Sequence, residues 1–416
     1  MTGVGRWVGG AMALALATAC TEAEDVAVVG AEATTASNNS LGLSDEEAAS
    51  VAANSVLFWS HEEKIAGFPA MEAQFPTNTV VAGPVNNPLP VSDQKIDVSF
   101  EVPTADGGTE TWTVDDYMAK NNTAGLMVVK DGEIVLEKYG EGLSADGRWT
   151  SFSVAKSFTS TLLGAAIADG AIASVDTPVT NIIPELAGTA YDGVSVGQIA
   201  SMTSGVAWNE DYTDPDSDVA KMLAVTPVAG ESQAVTYART LEREAPAGEK
   251  WVYKTLETNL LGLIVEQATG QSLAAYAAEK IVNPAGFAGG MFWMQDLTGG
   301  NIGGCCLSLR LSDYARMGQF ALEGGDGVVP EGWFAKAGSS LVDFGPQAPG
   351  FGYGYQWWTY PGDMYGAQGI FGQAITIVPE ENLVVAVVSN WKTATSAPAR
   401  DGFRALVGSI REAAAD

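Results

Sequence analysis

Ser153 and Lys156 are the residues of this chain with the clearest capacity for chemistry. They lie in the run Trp149-Thr150-Ser151-Phe152-Ser153-Val154-Ala155-Lys156-Ser157-Phe158-Thr159-Ser160. Residues three apart share one face of a helix, so a serine in the first turn lies beside a lysine one turn on. A serine hydroxyl is a poor nucleophile until a neighbouring base takes its proton. Lysine is such a base only when burial or nearby positive potential lowers its pKa. Phe158, Leu162, Leu163, Ala165, Ala166 and Ile167 continue an apolar helix that would bury the lysine stem. The helix N-terminus adds N–H donors and a positive dipole end beside the serine.

The same S-x-x-K spacing occurs at Ser92–Lys95 and Ser389–Lys392. The first follows Pro88-Leu89-Pro90 in a polar stretch, and the second ends the apolar run Leu383–Ser389, which reads as a strand. Neither opens an apolar helix, so context singles out Ser153. Two later stretches have matching chemistry. Pro246-Ala247-Gly248-Glu249-Lys250-Trp251-Val252-Tyr253 leads into an amphipathic helix through Leu256–Glu266, with Tyr253 in the loop just before it. A tyrosine beside a lysine ammonium is expected to have a lowered pKa and to shuttle a proton. Tyr365-Gly366-Ala367-Gln368-Gly369-Ile370-Phe371-Gly372-Gln373 leads into a strand. Its glycines let backbone approach a substrate, and an N–H on that edge can pair with that of Ser153 as an oxyanion hole.

Composition narrows the field. The 416 residues are 46% hydrophobic and 17% charged, enough for a large core. Fifty acids against 21 bases give a net charge of −29, a surface that repels nucleic acid and anionic lipid headgroups. The single histidine, His61, lies in Phe58–Lys64, far upstream of these motifs. A Ser-His-Asp triad or a His-rich metal site would depend on it alone. Lysine and tyrosine are therefore the expected bases, and no metal or cofactor is expected. Of the cysteines Cys20, Cys305 and Cys306, the adjacent pair reads as small core residues, because neighbours rarely bridge without strain.

Residues 1–19 carry Arg6 and then an apolar run, the pattern of a secretory signal peptide. Leu16-Ala17-Thr18-Ala19-Cys20 is similar to a bacterial lipobox, which implies cleavage before Cys20, lipid on its thiol and an outer-membrane lipoprotein facing the periplasm. The lipid would be the only membrane contact. Residues 20–49, rich in Ala, Thr, Glu, Asn and Ser, read as a flexible acidic tether, and 50–416 as one folded domain. Within it, Asp131-Gly132 between two apolar runs predicts a hairpin. The stretch up to about Gly290 reads mainly as helix and loop. Strands return at Gly352–Thr359, Gln373–Val378 and Leu383–Ser389, and Ser396–Ala414 reads as a closing helix. The expected class is α+β: an antiparallel sheet from both termini, flanked by helices, with a mainly helical insertion lobe and the site between the two.

Taken in order, S-x-x-K, then Pro-x-Gly with Tyr before a helix, then the Gly-rich strand approach resemble the serine β-lactamase and penicillin-recognising superfamily. Ser153–Ser160, Tyr253-Lys254-Thr255-Leu256-Glu257-Thr258, Gly369–Gln373 and Met202–Tyr212 look most like aminohexanoate-dimer (nylon-oligomer) hydrolases and related carboxylesterases. The resemblance implies a β-lactamase/transpeptidase-like fold. It implies Ser153 as the acylated nucleophile, Lys156 as its base, Tyr253 as a partner in proton transfer, and the Ser153 and Ile370 N–H groups as oxyanion donors. Tyr212 matches a loop tyrosine that touches a substrate amide. Thr255, Gln368 and Gly369 fall at substrate-binding positions, but two differ from the class C pattern. Thr255 replaces an asparagine, and Ala367-Gln368-Gly369 replaces Lys/His-Thr-Gly, so the strand edge has no cation for a β-lactam carboxylate. The expected activity is hydrolysis of small linear amides or esters. A penicillin-interactive D-alanyl carboxypeptidase or weak β-lactamase is the rival enzyme. A non-catalytic envelope binding protein is the rival of another class.

Overall fold

Asp131 and Gly132 both take left-handed backbone angles, with φ of 51° and 81°. They join β1 (Thr123–Lys130) and β2 (Glu133–Tyr139) in the hairpin that an Asp-Gly pair favours. The computed structural model describes residues 54–83, 89–104 and 107–415, all inside the unit Ala33–Asp416. The signal-peptide and Cys20 readings, and the tether, lie outside the described residues.

The hairpin sits at one end of an eight-stranded antiparallel sheet. The other strands are β3 (Val342–Asp343), β4 (Gly352–Tyr353), β5 (Trp358–Tyr360), β6 (Met364–Gln368), β7 (Ala374–Val378) and β8 (Leu383–Ser389). Their order is β2-β1-β8-β7-β6-β5-β4-β3, so the two ends of the domain meet at the β1–β8 pair. Alternation along these strands makes two cores. Met127, Val129, Val384, Ala386 and Val388 join the main core, on the side of helix α3 (Leu311–Leu322). Leu126, Val128, Val385 and Val387 face the closing helix α4 (Ala397–Ala415), which buries Phe403, Leu406, Val407 and Ile410 against them. Two-sided burial explains why the central strands read as continuous apolar runs.

Several parts of the fold differ from the sequence reading, among them a two-stranded sheet of Ser99–Pro103 and Thr109–Thr113. The stretch Gly352–Thr359 is not one strand: Gln356 turns at φ 61°, separating β4 from β5 as a hairpin. A second, four-stranded sheet of Thr77–Val80, Met291–Met294, Leu307–Arg310 and Arg148–Thr150 was not foreseen. Its strands are three or four residues long and pair across large sequence separations, so no local pattern announces them. It leads directly into the turn that carries Ser153. Ser151 donates its N–H to Leu307 O at 2.7 Å, and its Oγ accepts the Leu307 N–H at 2.8 Å.

Helix α1 (Ala155–Ala168) runs through the middle of the insertion lobe and packs on α2 (Thr255–Thr269). Every residue of α1 from Ala155 to Ala166 is buried. Its hydroxyls avoid the penalty of burial by holding the surrounding loops. Ser157 donates to Gln356 O at 2.7 Å, Thr159 to Gly303 O at 2.7 Å and Ser160 to Tyr355 O at 2.6 Å.

Candidate active site

Ser153 lies in a single 3-10 turn, Phe152–Val154, that feeds into α1. Lys156 follows in the first turn of α1 and is 1% exposed. Its Nζ makes three contacts: Ser153 Oγ at 3.2 Å, Thr255 Oγ1 at 3.1 Å and Gly304 O at 2.9 Å. Burial lowers the Lys156 pKa to about 8, against the opposing pull of Glu210. A neutral amine has two N–H donors and one lone pair. Gly304 O can only accept. Thr255 Oγ1 spends its proton on Glu210 and so presents a lone pair to Lys156. With both N–H groups taken in this way, the amine lone pair is left for the Ser153 hydroxyl.

Glu210 is the residue that sequence reasoning missed. Its half-buried carboxylate accepts from the Thr255 N–H at 3.0 Å, from Tyr212 Oη at 2.9 Å, and from Thr255 Oγ1 and Trp208 Nε1. The signal was present in the alternation Trp208, Glu210, Tyr212 within a loop, but the acceptor role needs α2 alongside. Thr255 therefore orients Lys156 as well as lining the cavity, and Tyr212 lines the same cavity with its phenol proton committed to Glu210.

Tyr253 stands over Lys156, its ring centroid 5.3 Å from Nζ, and its phenol shares a hydrogen bond with Ser153. The expected lowering of its pKa is reversed. Burial pushes the phenol well up, Glu210 adds to this, and the bond to Ser153 and the charge of Arg400 only partly oppose it. Tyr253 is thus a neutral hydroxyl, able to pass a proton along a chain but not to act as a resting phenolate. Its ring stacks on Trp358 at 5.5 Å.

The Gly-rich stretch is more than an approach to a strand: β6 ends at Gln368, and Ile370–Gly372 then forms a tight turn. Gly369 packs so closely that a Cβ there would come within 2.6 Å of Ser151 O and 3.2 Å of Phe152 Cβ. That contact brings Ile370 beside the Ser153 turn, and Ser153 and Ile370 line one cavity. Among the described residues, neither backbone N–H has a backbone acceptor. Phe152 and Phe371, the neighbours of these two residues, take left-handed φ of 43° and 59°. Such angles cost about 1–3 kcal/mol each in a non-glycine residue. The cost is offset by a buried cluster in which Phe152 and Phe371 lie 5.2 Å apart, with Phe68 5.0 Å and 5.5 Å from them. Gln373 braces the turn, its Nε2 donating to Ile370 O at 3.2 Å and Ser389 O at 2.9 Å.

Other expected residues fall elsewhere. Gln368 donates to Tyr360 Oη at 2.6 Å, and Gln368 and Gly369 are not among the residues that line the cavity holding Ser153. His61 is exposed at the start of the short helix His61–Gly67. Cys305 and Cys306 lie in the core beside Gly304, as expected of small core residues, Cys306 buried and Cys305 half-buried. The strand edge at Ala367 does lack a cation, but Arg400 of α4 supplies one nearby. It stacks on Trp391 at 4.8 Å and lies close enough to Tyr253 and Tyr360 to favour their ionised forms. Among the described residues, no group of three or more His, Cys, Asp or Glu could hold a metal ion.

With this geometry in place, the chain can be compared with known proteins. The family model described as Beta-lactamase matches residues 113–294 and 310–409, more than half of the chain. The chain belongs to the beta-lactamase family. It is a serine hydrolase. A 6-aminohexanoate-dimer hydrolase of Paenarthrobacter ureafaciens is 32% identical over 292 residues, 65% of this chain and 73% of its own. A Bacillus anthracis structure provisionally named a 6-aminohexanoate-dimer hydrolase superposes with a TM-score of 0.72 at 21% identity, covering 84% of this chain and 93% of its own. A class C beta-lactamase superposes at 0.55 with 16% identity over 71% of this chain and 94% of its own. At those identities the two structures speak for the fold, which is the β-lactamase-like α+β arrangement expected from the sequence.

Proposed function

We propose that this beta-lactamase-family chain cleaves small linear amides or carboxylic esters through an acyl-enzyme on Ser153. The observation that carries the reading is the 3.2 Å contact between Ser153 Oγ and a buried lysine whose pKa is lowered to about 8. Lys156, as the neutral amine, takes the Ser153 proton while Oγ attacks the carbonyl carbon. The oxyanion is held by the N–H groups of Ser153 and Ile370. Tyr253 relays the proton to the leaving oxygen or nitrogen as its bond to the acyl carbon breaks. Water then attacks the ester, giving its proton to Lys156, and Ser153 recovers its own as the acid departs. The 6-aminohexanoate-dimer hydrolase relative supports amide or ester chemistry.

The pH dependence follows from the lysine. Below about pH 8 Lys156 is an ammonium with no lone pair for Ser153, so kcat/KM for an uncharged ester should rise with pH through a midpoint near 8. Glu210 favours the ammonium, so Glu210→Gln should move that midpoint to lower pH while reducing the plateau, because glutamine keeps only one of the two acceptor oxygens that Thr255, Tyr212 and Trp208 share. A midpoint that stays in place in the variant would remove Glu210 from the electrostatics of the base.

Substrate class separates the two enzyme readings. The phenol proton of Tyr212 is committed to Glu210, so its oxygen is left to accept a substrate N–H. Amides have that N–H and esters do not. Tyr212→Phe should cost amide hydrolysis about tenfold, the worth of roughly one hydrogen bond, and leave a matched ester nearly unchanged. Arg400 is the one observation favouring the cell-wall peptide or β-lactam reading, since those substrates bring a carboxylate. The experiment compares kcat/KM for a matched ester, its amide and nitrocefin. We expect ester above amide above nitrocefin, and nitrocefin as the best substrate would reverse the assignment.

A further inference from the structure

The cavity that contains Ser153 and Ile370 is also lined by Val56, Leu57 and Phe75, from a segment far upstream of every motif. We propose that this N-terminal segment is the specificity wall of the acyl pocket, and that the pocket takes a short aliphatic acyl chain of about five or six carbons. The proposal rests on the hydrolase reading above and adds to it the residues that choose the acyl group.

The segment is built into the molecule. Asn54 Oδ1 accepts the Trp59 Nε1–H at 2.8 Å. The Trp59 ring stacks on Phe75 at 5.9 Å and on Phe68 at 6.3 Å, and Phe68 packs on Phe152, the neighbour of the nucleophile. Lys64 Nζ donates to Trp391 O and Lys392 O, each at 3.2 Å, and so ties the segment to the chain beyond the oxyanion turn. Thr77–Val80 then pairs with Met291–Met294, and Gln295 donates its N–H to Pro76 O at 2.9 Å. The family model begins at residue 113 and passes over 295–309. Val56, Leu57 and Phe75, with Ile302 from the second stretch, therefore line the cavity from outside the matched residues, and the family pattern leaves this wall unspecified.

The lining chemistry points to an apolar occupant. Several polar side chains around the cavity are occupied within its walls. Gln233 binds Met222 O, Leu223 O and the Leu297 N–H. Asn259 Oδ1 accepts from the Gly304 N–H, Glu266 from the Leu273 N–H, and Asp296 from Thr298 and Gly300. Val56, Leu57, Phe75, Met222, Leu263 and Ile302 supply the apolar surface. A cavity of about 150 Å³ lined by aliphatic side chains accepts benzene, so the 130 Å³ here admits about five or six carbon-sized atoms.

The test is a series of p-nitrophenyl esters from acetyl to decanoyl, read as kcat/KM and as acylation of Ser153 by intact mass. Wild type should peak near pentanoyl or hexanoyl. Leu57→Ala should move the peak to longer chains and raise the octanoyl-to-butanoyl ratio about 16-fold, since each of about two newly buried methylenes is worth about fourfold. Leu57→Trp should move the peak the other way. Phe58→Ala, in the same segment but 48% exposed and outside the cavity, should leave the profile unchanged. Melting curves for all three variants separate a moved wall from an unfolded one. A profile that is the same in Leu57→Ala and Leu57→Trp, or one that falls in parallel for every ester, overturns the wall while leaving the hydrolase reading intact. Absence of any acyl adduct on Ser153 in wild type overturns the hydrolase reading and this proposal with it.

Discussion

Ser153→Ala should yield a folded protein whose turnover of every ester and amide is down by about 10⁶, the scale on which removal of a serine nucleophile acts. The change removes one oxygen from a half-buried position and leaves the rest of the site standing. Lys156 keeps its bonds to Gly304 O and Thr255 Oγ1, and Phe152 keeps its place among the buried rings. The melting temperature should therefore stay within about 2–4 °C of wild type. Intact-mass analysis with a slow substrate should show an acyl adduct on wild type and none on the variant. A Ser153→Ala protein with near-normal turnover would refute the mechanism, and a lost melting transition would assign Ser153 a structural role instead.

Lys156→Arg should be as damaging as loss of the serine, although it keeps the charge. A guanidinium does not give up its proton under these conditions, so it has no lone pair for Ser153. It is also too large for the site, where even a Cβ on Gly304 would stand 3.0 Å from Lys156 Nζ. Lys156→Met removes the amine at similar length and separates chemistry from space. Because the serine and its base act as one unit, Ser153→Ala combined with Lys156→Met should be no slower than either change alone. The measurement is kcat for the two single variants and the double. Multiplicative losses would mean that the residues contribute independently, and an active Lys156→Arg would exclude lysine as the proton acceptor.

These two residues were the most legible part of the protein. An i, i+3 pair opening an apolar helix is written in consecutive residues, and helix geometry alone sets the two side chains side by side. The Asp131-Gly132 hairpin, the loop position of Tyr253 and the closing helix were legible for the same reason: each depends on a few neighbouring residues and their backbone preferences. Order along the chain, with Ser153, Tyr253 and Gly369 each followed by its own element, was enough to suggest the family.

Other properties depend on what the chain packs against. A place beside a lysine ammonium suggested a lowered pKa for Tyr253, but burial decides the matter and raises it. Glu210 became the acceptor for Thr255, Tyr212 and Trp208 only when its loop closed on the start of α2. Arg400, on a helix that by its sequence only closes the domain, lies close enough to Tyr253 and Tyr360 to favour their ionised forms. The left-handed angles at Phe152 and Phe371 are held by an aromatic cluster drawn from three distant segments. Val56 and Leu57, with nothing in their sequence to connect them to Ser153, line its cavity. The sequence by itself determined which side chains can exchange a proton and on which local elements they stand. Tertiary structure decided their protonation, their orientation and the shape of the pocket, because desolvation and contact are set by residues distant along the chain and adjacent only after folding.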